Sequence, residues 1–228
     1  MARPILILTG VEAEARVLAH ALALGRLAGV PFVAFGNELA RVCCVGLGAR
    51  LLDERLPLLA SGLSSPLVVS AGLCGGLSPR LPAGSLVVPA EVLDGRGGRQ
   101  LVSGSLPGRE LQGALVTVGE ALATPEAKAR LYEETGALAA DMESAPILAA
   151  ARRQGWPALV VRAVSDDARE GLPAEILDAV DASGRVHTLR MVRAFLARPA
   201  LVWRALALRR IVASGLGAVA ETLRPLLS

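Results

Sequence analysis

The chain has 228 residues, of which 53% are hydrophobic and only 3% are aromatic. This composition can bury a large aliphatic core and offers few rings for base stacking, so it excludes global disorder and makes a nucleic-acid partner unexpected. The net charge of +3 is uneven, because residues 187–228 alone carry a net charge of +6. Lys128 is the only lysine beside 23 arginines, a bias that we attribute to genome base composition.

Short runs of Val, Ile and Leu alternate with longer segments of helical period, and glycine or proline separates them. The pattern predicts strands at Ile5–Thr9, Pro31–Phe35, Leu39–Val45, Leu67–Ser70, Ser85–Pro89, Leu115–Val118, Ala137–Ala140 and Ala158–Val164. It predicts helices at Glu12–Leu24, Ala49–Ala60, Pro125–Glu134, Met142–Gln154 and Pro173–Val180. This order indicates an α/β domain whose mostly parallel sheet is covered on both faces, with a ligand crevice beyond the carboxyl ends of the strands.

The composition changes near residue 184, and no linker divides the chain before that point. We therefore predict one α/β domain over residues 1–183 and a basic, apolar helical extension over residues 184–228. Pro199 is expected to divide the extension into two helices, because proline breaks a helix. The glycine-rich residues 94–112 are predicted to form an excursion on the surface.

The cysteines and the apolar runs bear on the compartment of the protein. Cys43, Cys44 and Cys74 are odd in number and lack zinc-ligand spacing, so we expect no metal site and a reducing cytoplasm. No run of about 18 apolar residues is present, so the sequence predicts no membrane-spanning helix.

Two motifs at strand ends contain glycines or glutamates. Ser70–Leu77 includes Gly72 and Gly75, which would let backbone N–H groups approach an anion or a sugar oxygen, although a tight strand exit would also need glycine. Glu12 and Glu14 follow the first predicted strand. They either reach into the crevice or complement the helix dipole at the start of the next helix.

Two further motifs place carboxylates after later strands. Glu143 begins a predicted helix, where it either complements the helix dipole or accepts hydrogen bonds from a diol, and Asp141 is typical of a helix N-cap. Ser165 and Asp166 follow a strand of buried type. Asp166 is a candidate general acid, and the alternative is that Ser165 or Asp166 only caps the following turn.

Together these motifs resemble the nucleoside phosphorylase and nucleosidase superfamily over roughly residues 3–170, in particular the methylthioadenosine/S-adenosylhomocysteine nucleosidases. Gly75–Val88 is similar to a glycine-led segment of that family, Met142–Glu143 to its ribose-binding motif, and Arg162–Asp166 to its Arg-x-(Ile/Val)-Ser-Asp motif. The resemblance implies a three-layer phosphorylase-type fold with a central, mostly parallel, twisted mixed sheet and a C-terminal helical extension. It also implies a homo-oligomer and no cofactor, with inorganic phosphate as an optional co-substrate.

A narrower resemblance is to the hopanoid-associated phosphorylases. It rests on Leu115–Val118 with the following Ala123–Pro125, on Asp141–Ala145, and on the Arg- and Leu-rich C-terminal segment. It implies release of adenine from adenosylhopane in bacterial hopanoid synthesis. The alternatives are a methylthioadenosine/S-adenosylhomocysteine nucleosidase, a purine nucleoside phosphorylase, and a purine-nucleoside sensor without activity.

The superfamily resemblance assigns roles to residues on the base and sugar sides. It implies that Asp166 protonates purine N7, with Ser165 holding its carboxyl group. Glu143 would bind the ribose hydroxyls and Met142 would pack on the sugar, whereas the segment from Val118 to Leu122 would border the base. Leu73 stands where the related nucleosidases have serine, and the stacking aromatic residue near the base is absent. Both departures favour a bulkier, more apolar substrate.

The nucleophile stays open at this point. Glu14 or Glu12 would activate water, whereas Gly72 and Gly75 with an arginine such as Arg41 or Arg50 would bind phosphate. The glutamates favour water, with Glu14 the preferred base.

The basic extension favours a location in the cytoplasm with peripheral contact at the inner membrane face through residues 187–228. The alternative is a helix packed on the sheet or on another subunit.

Overall fold

The computed structural model describes residues 3–95, 98–101, 106, 108–171, 178–187 and 200–227. The strands in these residues are β1 (Ile5–Thr9), β2 (Gly25–Arg26), β3 (Ala34–Gly36), β4 (Ala40–Cys44), β5 (Leu67–Gly76), β6 (Leu86–Val87), β7 (Pro89–Asp94), β8 (Arg99–Leu101), β9 (Gln112–Thr117), β10 (Ala139–Asp141) and β11 (Ala158–Asp166). The helices are α1 (Glu12–Ala21), α2 (Leu52–Ala60), α3 (Pro125–Thr135), α4 (Ser144–Arg153) and α5 (Ala200–Leu223), with short 3₁₀ helices at Leu47–Ala49 and Arg224–Leu227.

The strands form one mixed sheet in the order β2-β3-β4-β1-β5-β10-β9-β7-β8, with β11 beside β5 and β6 beside β11. The most extensive pairings, of β1 with β4 and β5, of β5 with β11 and of β7 with β9, are parallel. The antiparallel pairings span only two or three residue pairs each. Every residue of β1 is buried, as expected for a central strand covered on both faces.

The two faces of the sheet pack into separate hydrophobic clusters. On one face, Leu6 of β1 is buried in the same cluster as Leu59 of α2 and residues of α4. On the other face, Ile7 is buried in the same cluster as Leu216 of α5 and residues of α1. This alternation along β1 follows from the two-residue period of a strand. The predicted α/β class, with a mixed central sheet between helical layers and a C-terminal helix, is confirmed.

Helix α5 lies in the predicted extension and packs directly on the α/β core. Its Leu216, Val219, Ala220 and Leu223 are buried against α1 and the sheet. This part of the extension is therefore a helix packed on the sheet, one of the alternatives that the sequence left open. The predicted break at Pro199 and most of the predicted helix Pro173–Val180 lie outside the described residues.

Two local predictions are corrected. The segment expected to form a glycine turn is part of β5, because β11 pairs with it from Gly72 to Gly75 and β10 pairs with Gly75 and Gly76. The predicted excursion over residues 94–112 begins with a hairpin in which β8 pairs with β7, so the sheet extends further than the pattern of glycines indicated. Residues 96–97, 102–105 and 107 of that segment lie outside the described residues.

Candidate active site

A cavity of about 460 Å³ opens beyond the carboxyl ends of β1, β9, β10 and β11, the position expected for a ligand in this class of sheet. The residues that line it are Gly10, Val11, Glu14, Leu47, Leu73, Cys74, Gly75, Val118, Gly119, Glu120, Ala121, Leu122, Lys128, Ala140, Asp141, Met142, Glu143, Ser165, Asp166, Val180, Leu208 and Val212. The fold therefore brings carboxylates from three separate motifs to one opening.

Glu14 lies in the first turn of α1 and is buried. Its carboxylate accepts hydrogen bonds from the backbone N–H groups of Val11, at 3.0 Å, and Leu73, at 2.9 Å. Burial raises the pKa of Glu14, while the Arg162 charge and the backbone donors oppose the rise. A carboxylate with a raised pKa accepts a proton more readily, which suits a base that activates water.

Gly72 and Gly75 have no side chains, so they leave room for neighbouring charged groups near the carboxyl end of β5. Gly72 has a φ of +144°, and a Cβ atom there would lie 2.8 Å from both Glu14 Oε1 and Arg162 Nη1. Gly72 therefore lies behind the two charged groups and does not line the cavity. Gly75 does line it, and a Cβ atom there would lie 3.5 Å from Asp166 Oδ2.

Glu143 precedes α4 and projects into the cavity beside Met142. The backbone N–H of Gly48 donates to its Oε1 at 3.1 Å, and the absence of a side chain at Gly10 leaves room for the carboxyl group. Burial raises the pKa of Glu143 to about 8, against the lowering effect of Arg162. Its carboxyl group faces a position where hydroxyl groups of a ligand would hydrogen bond.

Arg162 is the buried cation that contacts the acids in this part of the cavity. Its guanidinium contacts Asp141 Oδ2 at 2.7 Å and Glu143 Oε2 at 3.6 Å, and it donates to Ser70 Oγ at 2.8 Å. Burial lowers the pKa of Arg162, but the neighbouring carboxylates more than offset this and raise it. Arg162 is 1% exposed, so its charge acts on Glu14 and Glu143 with little screening by water.

Asp141 is more than the helix cap that its position in the sequence indicated. It does accept a hydrogen bond from the backbone N–H of Ser144, at 3.1 Å, as a cap would. It also accepts one from Thr117 Oγ1 at 2.7 Å and pairs with Arg162. Asp141 therefore links β9, α4 and β11, and it supports the cavity floor.

Ser165 and Asp166 are the last two residues of β11 and both line the cavity. Ser165 Oγ donates to Asp166 Oδ1 and also lies 3.2 Å from the carbonyl oxygen of Cys74. Asp166 is 4% exposed, so its carboxyl group is held inside the opening and is not free to rotate into solvent. The serine contact matches the arrangement expected from the sequence.

Lys128 is a site residue that the sequence analysis missed. It lies on α3, is fully buried, and donates a hydrogen bond to Asp166 Oδ2. One feature of the sequence could have singled it out: Lys128 is the only lysine in the chain, beside 23 arginines. We attributed this bias to base composition, and the structure instead gives Lys128 a specific partner.

Apolar side chains form the remaining walls. The predicted base-side segment from Val118 to Leu122 lines one edge. Leu73 of β5, together with Leu208 and Val212 of α5, lines another. The C-terminal helix therefore contributes directly to the cavity, which its composition did not predict.

Three residues with expected functional roles lie elsewhere. Glu12 does not line the cavity, because its carboxylate pairs with Arg16 at 2.6 Å on the surface of α1. Arg41 Nη1 donates to the carbonyl oxygens of Leu59 and Ser61 at the far end of β4. Arg50 is exposed and is absent from the cavity lining.

Within residues 3–95, 98–101, 106, 108–171, 178–187 and 200–227, no three His, Cys, Asp or Glu residues come together in a way that could hold a metal ion. The helices of these ranges also lack the length and apolar content of a membrane span.

The fold is similar to those of solved nucleosidases. Methylthioadenosine/S-adenosylhomocysteine nucleosidase of Helicobacter pylori superposes with a TM-score of 0.71 and 18% identity, covering 99% of this chain and 98% of that one. Futalosine hydrolase of the same organism gives 0.70 and 18%, covering 99% and 97%. The Neisseria meningitidis nucleosidase gives 0.68 and 19%, covering 98% and 99%.

A model of the phosphorylase superfamily matches residues 105–197. The match covers 93 of the 228 residues, and over this range the chain is similar to the phosphorylase superfamily. The matched range includes Asp141–Glu143 and Arg162–Asp166, and the fold of the chain resembles the methylthioadenosine-type nucleosidase of Helicobacter pylori over 99% of its length. A curated relative, the futalosine hydrolase of Streptomyces coelicolor, is 34% identical over 125 residues, covering 44% of this chain. The alignment spans about half of that relative, 53% of its length.

Proposed function

We propose that the protein hydrolyses the N-glycosidic bond of an adenine nucleoside and releases adenine. The observation that carries this proposal is that one cavity contains Asp166 held by Ser165, a separate carboxyl group at Glu143, and a third at Glu14 beside Arg162. Cleavage of this bond needs a proton for the departing base, a hold on the ribose and a base for water. The three carboxyl groups match those three needs.

In the proposed mechanism the charges of the transition state determine the roles. Positive charge develops on the ribose and negative charge on the departing purine. Asp166 donates a proton to purine N7, and the electron pair of the C1′–N9 bond stays with the base. Glu143 binds the ribose hydroxyls by charge-assisted hydrogen bonds, while Met142 packs on the sugar. Glu14 takes the proton of the water that attacks C1′.

Water is favoured over phosphate by the charges at the cavity. Phosphate would need free cationic or N–H donors, but Arg41 and Arg50 lie away from the opening. The N–H of Leu73 donates to Glu14, and the guanidinium of Arg162 contacts carboxylates. The described residues thus present mainly negative charge at this end, which would repel a phosphate dianion.

The apolar walls favour a nucleoside with a bulky, apolar 5′ substituent. Leu208 and Val212 of α5 and Leu73 of β5 would contact such a group, and burying it would gain about 25 cal/mol per Å² of apolar surface. We therefore propose adenosylhopane as the substrate and bacterial hopanoid synthesis as the setting. The narrower resemblance of the sequence supports the same choice.

Futalosine hydrolysis is the second candidate. The 34% identity to the Streptomyces coelicolor futalosine hydrolase favours it, as does the shared fold of the Helicobacter pylori enzyme. Methylthioadenosine and S-adenosylhomocysteine are further candidates, because the proteins with the same fold include nucleosidases named for them.

A lipid-linked substrate would be reached from the membrane surface. We propose that the protein acts in the cytoplasm, with α5 providing peripheral contact with anionic lipid. Leu206, Arg209 and Arg210 are exposed on this helix, and each arginine near such a surface contributes about 1 kcal/mol. Flotation with anionic vesicles should recover the intact protein, and Arg209→Ala with Arg210→Ala should reduce recovery. Equal recovery of both forms would contradict the contact.

We also propose that the protein forms a homo-oligomer. Light scattering of the purified protein would measure its mass in solution and test this.

The deciding experiment compares substrates with and without phosphate. Purified protein is incubated with detergent-dispersed adenosylhopane, futalosine, methylthioadenosine, S-adenosylhomocysteine and adenosine, and loss of each nucleoside is followed by chromatography. We expect adenosylhopane to be consumed fastest and at the same rate without phosphate. Strict phosphate dependence would overturn hydrolysis. Faster loss of futalosine would establish the second candidate, and no loss of any nucleoside would overturn the proposed activity.

A further inference from the structure

Lys128 is a buried residue whose charged group has specific polar partners. It lies on α3, and none of its surface is exposed although the side chain reaches the cavity. A buried charge is costly unless it is paired, and an apolar residue of similar size is often as stabilising as an ion pair. The presence of a lysine here therefore points to its chemistry and not to packing.

The ammonium group is fully engaged at the end of β11. Lys128 Nζ donates to Asp166 Oδ2, to the carbonyl oxygen of Asp167 at 2.6 Å and to that of Glu170 at 2.8 Å. The carbonyl oxygen of Asp166 lies 3.3 Å from Nζ as well, so four acceptors surround the three N–H donors and hold the amine in one position. The carbonyl contacts also hold the backbone that follows Asp166.

These contacts complete the restraint of the Asp166 carboxyl group. Ser165 donates to Oδ1 and Lys128 donates to Oδ2, so both oxygens are held from different sides. Each oxygen has a second lone pair, and one of these carries the acidic proton that Asp166 donates. The carboxyl group is therefore oriented before any ligand arrives.

We propose that Lys128 is a positioning residue for proton donation by Asp166, an inference that rests on the proposed nucleoside cleavage. In that step the O–H bond of Asp166 breaks, the N7–H bond forms, and the C1′–N9 electron pair remains on the purine. The carboxylate left behind faces the Lys128 ammonium in a site with little water. A charge fixed beforehand next to a developing charge stabilises the transition state without reorganisation.

The test uses two leaving groups. An adenine nucleoside needs a proton on its base, whereas the nitrophenolate of 4-nitrophenyl β-D-ribofuranoside leaves without one. Lys128→Met should lower kcat on the adenine nucleoside by about 10²-fold, and its effect on the nitrophenyl riboside should be at most about 3-fold. Arg130→Met, an exposed change on the same helix, should leave both rates unchanged.

A double-variant comparison keeps the inference falsifiable if Lys128→Met folds poorly or the riboside is not cleaved. Asp166→Asn with Lys128→Met removes both members of the buried pair, and its kcat on the nucleoside should equal that of Asp166→Asn alone. Equal losses on the two substrates, or a further loss in the double variant whose thermal unfolding matches that of Asp166→Asn, would overturn the role. An active wild type with an unaffected Lys128→Met variant would overturn this inference alone, whereas a wild type inactive on every nucleoside would overturn the proposed function.

Discussion

The cavity has two charged ends, and each is organised by one buried cation. At the end proposed for the sugar, Arg162 contacts Asp141 and Glu143 and lies close to Glu14. At the end proposed for the base, Lys128 pairs with Asp166, its one carboxylate partner among the described residues, and also donates to carbonyl oxygens. One end thus has more carboxyl groups than its cation can neutralise, while the other is balanced.

This difference separates groups suited to accepting protons from a group suited to donating one. Burial raises the pKa of both Glu14 and Glu143, and the neighbouring carboxylates of Asp141 and Glu14 add to the rise at Glu143. Asp166 has a cation and a serine hydroxyl to stabilise the carboxylate that remains after donation. Pairs of acids in contrasting environments are the usual way in which one site performs both acid and base chemistry.

The largest expected effect is at the balanced end. Asp166→Asn should lower kcat on the adenine nucleoside by about 10²–10⁴-fold, because the amide cannot donate an acidic proton. Asp167→Asn is the matched control, since that side chain is next in sequence but does not line the cavity. Steady-state rates of both variants test this, and near-normal turnover by Asp166→Asn would contradict the assignment.

The next effect is on stability at the crowded end. Arg162→Met leaves buried carboxyl groups without their cation, so it should lower the free energy of unfolding by about 3–5 kcal/mol. The exposed Arg153, 3.6 Å from Asp53, provides a comparison, and Arg153→Met should cost at most about 1 kcal/mol. Urea unfolding measures both changes. Similar losses for the two variants would show that Arg162 does not neutralise the cluster.

A smaller effect is expected at the apolar wall of the cavity. Leu208→Ala should raise KM for a nucleoside with a long apolar 5′ group by about 10-fold, because it removes one contact for that group. The same variant should change KM for adenosine little. Leu206→Ala, on an exposed part of the same helix, is the control. Equal changes for both substrates would place the 5′ group elsewhere.

The smallest effect is a pH dependence of stability without ligand. Because the pKa values of Glu14 and Glu143 are raised on folding, the folded state binds more protons than the unfolded state above about pH 4.5. The contribution to stability is complete below that pH and is lost as the pH rises to about 8. Tm should therefore fall over this range, and Glu143→Gln should reduce the slope. An unchanged slope in Glu143→Gln would contradict the shift.

Local patterns predicted much of the fold and part of the site. The apolar period of β1, the proline start of α3 and the strand before Ser165–Asp166 are encoded in neighbouring residues, so their elements and the strand-end position of the acids followed from the sequence. The glycine segment was harder, because glycine permits a turn and an extended strand alike. Only pairing with β10 and β11 selects the strand for Gly72–Gly76.

The α/β elements, the superfamily resemblance and the candidate acids could be predicted from the amino-acid order, because each depends on residues that lie close together along the chain. Tertiary packing places Glu14 in the cavity, whereas Glu12 pairs with Arg16. It also decided that Lys128 meets Asp166, 38 residues away, and that Leu208 of α5 closes one wall. Such contacts depend on how elements pack across the sheet, and no spacing within a single element encodes them.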